Sequence, residues 1–105
     1  MRIREMQQQV DAWISQFEDG YWPPLANLAR LTEEVGELAR ELNHHFGPKT
    51  KKRDEAEADI AEELADCMFV LACIANSLNI DLEAAFAATM DKYRRRDAER
   101  WQRKP

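Results

Sequence analysis

The sequence predicts an all-α protein: four helices forming a bundle that self-association completes. Three observations carry this. Only three Gly and four Pro occur in 105 residues, and β-branched residues are sparse, which favours helix over strand. Apolar residues recur every three to four positions in four long segments. Residues 67–75 contain no polar side chain, and a helix apolar all round needs cover all round. A four-helix chain of this size rarely surrounds one helix, so a second copy is expected against helix 3.

The first helix is expected over residues 3–17, where Ile3, Met6, Val10, Trp13, Ile14 and Phe17 follow the helical repeat. Gly20 and Pro23-Pro24 end it, and Pro24 suits the first turn of the next helix. That second helix is expected over residues 25–45 on the stripe Leu28, Leu31, Val35, Leu38 and Leu42, with Gly47-Pro48 closing it. Residues 48–53 read as a polar, basic loop. Asp54 with Glu57 resembles a capping box, so helix 3 is expected to start there and run to Leu78. Asn79-Ile80-Asp81 reads as a turn with Asp81 as the N-cap. Helix 4 runs from Leu82 into the Arg-rich end, with Leu82, Ala85, Phe86, Thr89, Met90 and Tyr93 on one side.

The length fits one domain over residues 1–105, near the small end for an independent core. No apolar run approaches the ~18 residues needed to span a bilayer. The first residues, Met1-Arg2-Ile3-Arg4-Glu5, lack the apolar stretch of a signal peptide. A cytoplasmic protein without membrane contact is expected. Cys67 and Cys73 fall in one helix with Cα atoms roughly 9 Å apart along its axis. That is too far for a disulfide, and both read as buried apolar fillers.

The net charge of −5 hides an asymmetry. Residues 1–91 carry 8 basic and 18 acidic side chains, net −10, and residues 92–105 carry 7 and 2, net +5. An acidic body argues against nucleic acid as a partner. The basic end either neutralises the body, approaches a phosphate, or is a solvated, frayed helix end.

Two acidic clusters are the chemical content of the chain. Glu33-Glu34-x-x-Glu37 lies on helix 2 and Glu63-x-x-Asp66 on helix 3. Carboxylates three apart share a helix face and repel each other. At about 100° per residue, Glu34 and Glu37 flank the apolar stripe while Glu33 turns toward solvent. Glu63 sits beside Ile60 and Cys67, Glu62 points away, and Asp66 lies on the flank. An acid beside an apolar face is costly unless it is paired or metal-bound. On helix 2, Arg30 can reach Glu33 or Glu34, and Arg40 can reach Glu37. On helix 3 no such base exists, because no Lys or Arg occurs between Arg53 and Lys92. A hard cation such as Mg²⁺, which takes oxygen ligands and keeps several waters, resolves the conflict. Other motifs are thinner. Glu41-x-x-His44 matches half of a di-iron pattern without its second copy. Tyr21, Trp22 and Trp101 are candidates to stack on a base or to plug the bundle ends. There is no Gly-rich phosphate loop, and neither Ser15 nor Ser77 has a His nearby in sequence.

The acidic signature, with Gly20-Tyr21-Trp22-x-Pro24-Leu25, Ala29-Arg30-Leu31-Thr32-Glu33-Glu34, Ala75-Asn76-Ser77-Leu78 and Met90-x-Lys92-x-x-x-Arg96-Asp97-x-x-Arg100-Trp101, resembles the MazG-type nucleotide pyrophosphohydrolases. These belong to the all-α NTP pyrophosphatase superfamily, and the similarity is to its short, single-domain, YpjD-like branch. The resemblance implies hydrolysis of a nucleoside triphosphate to a monophosphate and pyrophosphate, as in house-cleaning of nucleotide pools. It implies Mg²⁺ as cofactor, with Mn²⁺ as a substitute, and a homodimer or homotetramer. Glu34, Glu37, Glu63 and Asp66 match the metal-ligand positions, Glu33 the leading Glu of the signature, and Lys92 and Arg96 basic positions suited to the triphosphate. Two other readings stand beside it: a non-catalytic helical interaction module using helix 3, and a di-metal carboxylate bundle.

Overall fold

A computed structural model describes residues 1–48 and 59–105. It holds four α-helices, α1 (Ile3–Ile14), α2 (Pro24–Phe46), α3 (Ile60–Ser77) and α4 (Leu82–Arg96), and no strand among the described residues.

The helix ends follow from local chemistry. α1 stops at Ile14, short of the expected Phe17. Gln16 and Phe17 donate their amides to the carbonyls of Trp13 and Ile14, tightening the chain into three-residue turns. Gly20, with φ 62°, then makes the left-handed step that turns the chain toward α2. Pro24 starts α2 as its sequence position suggests. α3 begins at Ile60, where the Asp59 carboxylate accepts from the Ala61 amide at 2.9 Å. The expected cap at Asp54 and Glu57 lies outside the described residues. Asn79, with φ 56°, ends α3. Asp81 caps α4 as expected, accepting from the Glu83 and Ala84 amides.

α3 is the hub, packed against both α2 and α1, while α4 packs mainly on α1. The core is small: Val10, Ala72 and Cys73, surrounded by Met6, Ile14, Tyr21 and Phe69. Cys67 and Cys73 are buried and free. A polar pin joins α1 to the α3–α4 corner. Buried Gln7 donates to Asn76 Oδ1 at 2.9 Å and to the Ile80 carbonyl at 2.8 Å, and accepts from the Leu82 amide at 2.9 Å. Asn76 donates in turn to the Gln7 carbonyl and to the Tyr21 hydroxyl. Tyr21 donates to Asp11 at 2.6 Å. Burial, followed by that bond to a carboxylate, pushes its pKa up to about 12. Tyr21 therefore plugs an end of the helix packing.

Two apolar faces are left open by the single chain, as its small number of helices leads one to expect. α3 is not covered all round: Val70, Ala72, Cys73 and Ala75 are buried, but Met68 and Leu71 are about half exposed. The single chain has only enough helices to cover one side of it. In α4 no residue is buried, and Phe86 and Tyr93 of its apolar stripe face solvent. The chain bends by 106° between α3 and α4, which carries α4 away from the α2–α3 pair.

Candidate active site

α2 and α3 run antiparallel, as their cross-helix neighbours show. Arg30 lies by Phe69, and one turn further along α2 Glu34 lies by Glu63 and Asp66. This register brings one carboxylate oxygen from each of Glu34, Glu63 and Asp66 within 4.8 Å of one another. Glu34 and Glu63 are half-buried and Asp66 is exposed. Among the described residues, no Lys or Arg forms an ion pair with any of the three. Partial burial pushes the Glu63 carboxyl above its ordinary range, and the charges of Asp66, Glu37, Glu34 and Glu62 push it further.

The remaining expected residues fall elsewhere. Glu37 lies outside the three-carboxylate group and meets Arg40 at 4.0 Å on the exposed side of α2. It is still near enough to raise Glu63. Glu33 and Glu62 are exposed, as their helical angles require. Lys92 and Arg96 are not brought to the acids of their own chain. Their cationic groups lie over the Tyr93 ring, each 5.3 Å from its centroid, and Arg96 clamps Asp97 with its guanidinium. That ion pair holds the Asp97 carboxyl below its usual range.

Arg30 is where the sequence reading misses. Its guanidinium forms no ion pair with Glu33 or Glu34. It lies between two rings, 5.3 Å from the centroid of Trp22 and 5.4 Å from that of Phe69. Two aromatic faces compete well with an exposed carboxylate. Arg30 also lines a cavity of about 310 Å³ with Tyr21, Trp22, Asn27 and Cys73, one helical turn from the carboxylates. Glu41 is a second miss. It is buried, with His44 Nδ1 at 3.8 Å and His45 Nε2 at 3.7 Å. The i+3 and i+4 spacing carried that signal, and the half-motif Glu41-x-x-His44 is a local pairing on one helix.

Three converging carboxylate oxygens with no cation form a donor set for a hard divalent ion. A set offering only oxygen suits Mg²⁺ or Mn²⁺ and gives soft metals no reason to bind. The aromatic-lined cavity at Arg30 lies one helical turn along α2 from Glu34. These features make the three carboxylates a possible divalent-metal site on an all-α frame.

Residues 23–101 match the MazG nucleotide pyrophosphohydrolase domain. The chain is 52% identical over 102 residues to YpjD, an uncharacterized protein of Bacillus subtilis (strain 168), covering 97% of this chain and 92% of that one. It superposes on the crystal structure of Bacillus subtilis YpjD with TM-score 0.80 and 50% identity, covering 89% of this chain and 95% of that one. The Bacillus-conserved MazG protein, a nucleotide pyrophosphohydrolase, matches with TM-score 0.78 and 53% identity, covering 89% and 90% of the two chains. The chain belongs to the MazG nucleotide pyrophosphohydrolase family and is a hydrolase acting on acid anhydrides. Among the described residues, no single helix is long and apolar enough to cross a membrane.

Proposed function

We propose that this protein hydrolyses a nucleoside triphosphate between the α- and β-phosphates, giving a monophosphate and pyrophosphate, with Mg²⁺ as cofactor. The observation that carries this is the convergence of Glu34, Glu63 and Asp66 with no protein cation to balance them. A Mg²⁺ ion held there supplies Lewis-acid polarisation of a phosphoryl oxygen and acidification of a water. Glu37 completes the donor set if its exposed side chain leaves Arg40. Surface ion pairs of that kind contribute little, about 0–1 kcal/mol, so the rearrangement is cheap. Glu33, exposed and one residue before Glu34, is the carboxylate free to orient the attacking water and accept its proton. Lys92 and Arg96 bind the negative phosphates of substrate and leaving group.

The working unit we propose is a homodimer, or a tetramer built from it. Leu28, Val35 and Leu42 on α2, and Leu64 and Leu71 on α3 with Leu78 at its C-cap, repeat every seven residues, and all six are 40–52% exposed. Seven-residue apolar spacing is the seam of a helix bundle. The radius of gyration, 17.5 Å, also exceeds the roughly 13 Å of a compact chain this long. Two α2–α3 pairs joined along this seam make four helices around one core, and no partner of another kind is required. Nucleic acid and membrane are not partners in this reading, and the substrate pool it serves is cytoplasmic.

The test is product analysis. Purified protein with Mg²⁺ is offered canonical and modified nucleoside triphosphates, and pyrophosphate and orthophosphate are assayed separately. Pyrophosphate as the first product from at least one nucleotide supports the proposal. Orthophosphate first, or no turnover across the panel, favours the non-catalytic interaction module instead.

A further inference from the structure

The cavity beside Arg30 holds a polar group that the fold leaves nearly unused. Asn27 is 2% exposed. Among the described residues its side chain makes one hydrogen bond, a long one of 3.4 Å from Nδ2 to the Trp22 carbonyl, and its Oδ1 accepts none. A side-chain amide offers two donors and two acceptor sites, and buried polar groups ordinarily find partners. Gln7 and Asn76 show the ordinary case, with bonds of 2.8 to 3.0 Å throughout their pin. Asn27 lines the cavity of about 310 Å³ together with Trp22 and Arg30, a volume at the small end of ligand pockets. Trp22 is half exposed, so part of its ring is open for stacking. Asn27 and Glu34 are seven residues apart and share a face of α2, about 10 Å from each other along its axis. A nucleotide covers such a span from the edge of its base to its α-phosphate.

We propose that Asn27 is a specificity-determining residue: its amide reads the hydrogen-bonding edge of a nucleobase seated in this cavity. This rests on the pyrophosphohydrolase reading above and adds how the base is recognised. Turned one way, the amide accepts from the exocyclic amino group of adenine or cytosine and donates to the adjacent ring nitrogen. Turned by half a rotation, it donates to the exocyclic oxygen of guanine or thymine and accepts from the adjacent ring N–H. Every common base therefore satisfies the same side chain, and the site is open to all four. A purely apolar cavity would leave the base edge unpaired, at a cost in binding. A carboxylate in the same place could only accept. It would suit guanine, whose ring N–H and amino group are adjacent donors, and fail the three bases that present one donor beside one acceptor.

The test is kcat/KM of wild type, Asn27→Leu and Asn27→Asp on the four deoxynucleoside triphosphates with Mg²⁺. Wild type is expected to accept all four within about tenfold of one another, because one bidentate pair serves each. Asn27→Leu, close in volume, is expected to lose roughly tenfold on every base, mainly through KM. Asn27→Asp is expected to favour dGTP by about tenfold or more over the other three. Unchanged kcat/KM in Asn27→Leu overturns the proposal, as does an equal loss on all four bases in Asn27→Asp, which would make Asn27 a packing residue. A wild type confined to one base overturns it as well. A second readout needs no turnover. Deoxynucleoside 5′-monophosphates titrated into the wild type are expected to quench tryptophan fluorescence by stacking on Trp22, and Trp22→Leu is expected to lose that quench while Trp101→Leu keeps it. Absence of any quench in the wild type, or its persistence in Trp22→Leu, overturns the base site. If the wild type turns over no triphosphate but the monophosphates still quench Trp22, and Asn27→Leu weakens their binding, the base site holds and only the enzymatic reading fails.

Discussion

Glu34 on α2 and Glu63 on α3 bring carboxylate oxygens within 4.8 Å of each other, and no Lys or Arg among the described residues pairs with either. The apo protein therefore carries a built-in repulsion that titrates. Because the folded-state pKa of Glu63 is raised, the native state binds its proton more tightly than the unfolded chain does. The Glu63 penalty is absent below the unfolded value and fully present above the raised folded value. The metal-free melting temperature of wild type, relative to Glu63→Gln, should fall as pH rises through that window. Saturating Mg²⁺ should flatten the difference. A wild-type advantage that grows with pH would mean that a cation of the protein already balances Glu63.

The pin between Gln7 and Asn76 should be worth more than an average surface contact. Gln7→Ala removes three hydrogen bonds and leaves the Leu82 amide and Asn76 side chain short of partners at a part-buried site. We expect a loss of about 1–3 kcal/mol in urea unfolding. Amides at the start of α4 should also exchange faster with solvent. A change within about 0.5 kcal/mol, typical of surface sites, would show that packing on α1 does not depend on this pin.

The seam predicts which apolar residue matters for assembly. Leu71 is half exposed on α3, whereas Phe69 packs against the Val10–Ala72–Cys73 core and lies against Arg30. Leu71→Lys should give a folded chain with a near-native helical spectrum that sediments as a monomer at micromolar concentration. Phe69→Lys should instead damage the fold itself. Unchanged assembly of Leu71→Lys would remove the seam from the interface.

Much of this was legible in the sequence because it is local. The four helices follow from periodicity, the Asp81 cap from its short carboxylate acceptor just before an apolar run, and the opposite exposure of Glu62 and Glu63 from 100° per residue. What was not legible depends on tertiary geometry. Arg30 had carboxylates one turn away, but its choice of Trp22 and Phe69 depends on a loop and on another helix. The separation of Lys92 and Arg96 from the acids goes with the 106° bend between α3 and α4, which no local spacing encodes. The half-exposure of Leu71, by contrast, agrees with the expectation that one chain has too few helices to surround α3. The pairing of Glu41 with His44 and His45 was visible as spacing, but its burial was not.

The most direct test of the account is turnover of Glu63→Gln beside Glu62→Gln, at saturating Mg²⁺ and nucleotide. The two residues are neighbours of identical chemistry, one half-buried in the carboxylate cluster and the other exposed. Glu62→Gln should keep near-wild-type turnover. Glu63→Gln should lose roughly 100-fold or more, since even the supporting partners of a metal ligand are worth about 10–100-fold. It should also melt no lower than wild type without metal, because a repulsion has been removed. Equal losses in the two variants, or a large drop in the metal-free melting temperature of Glu63→Gln, would contradict a metal site at Glu34, Glu63 and Asp66.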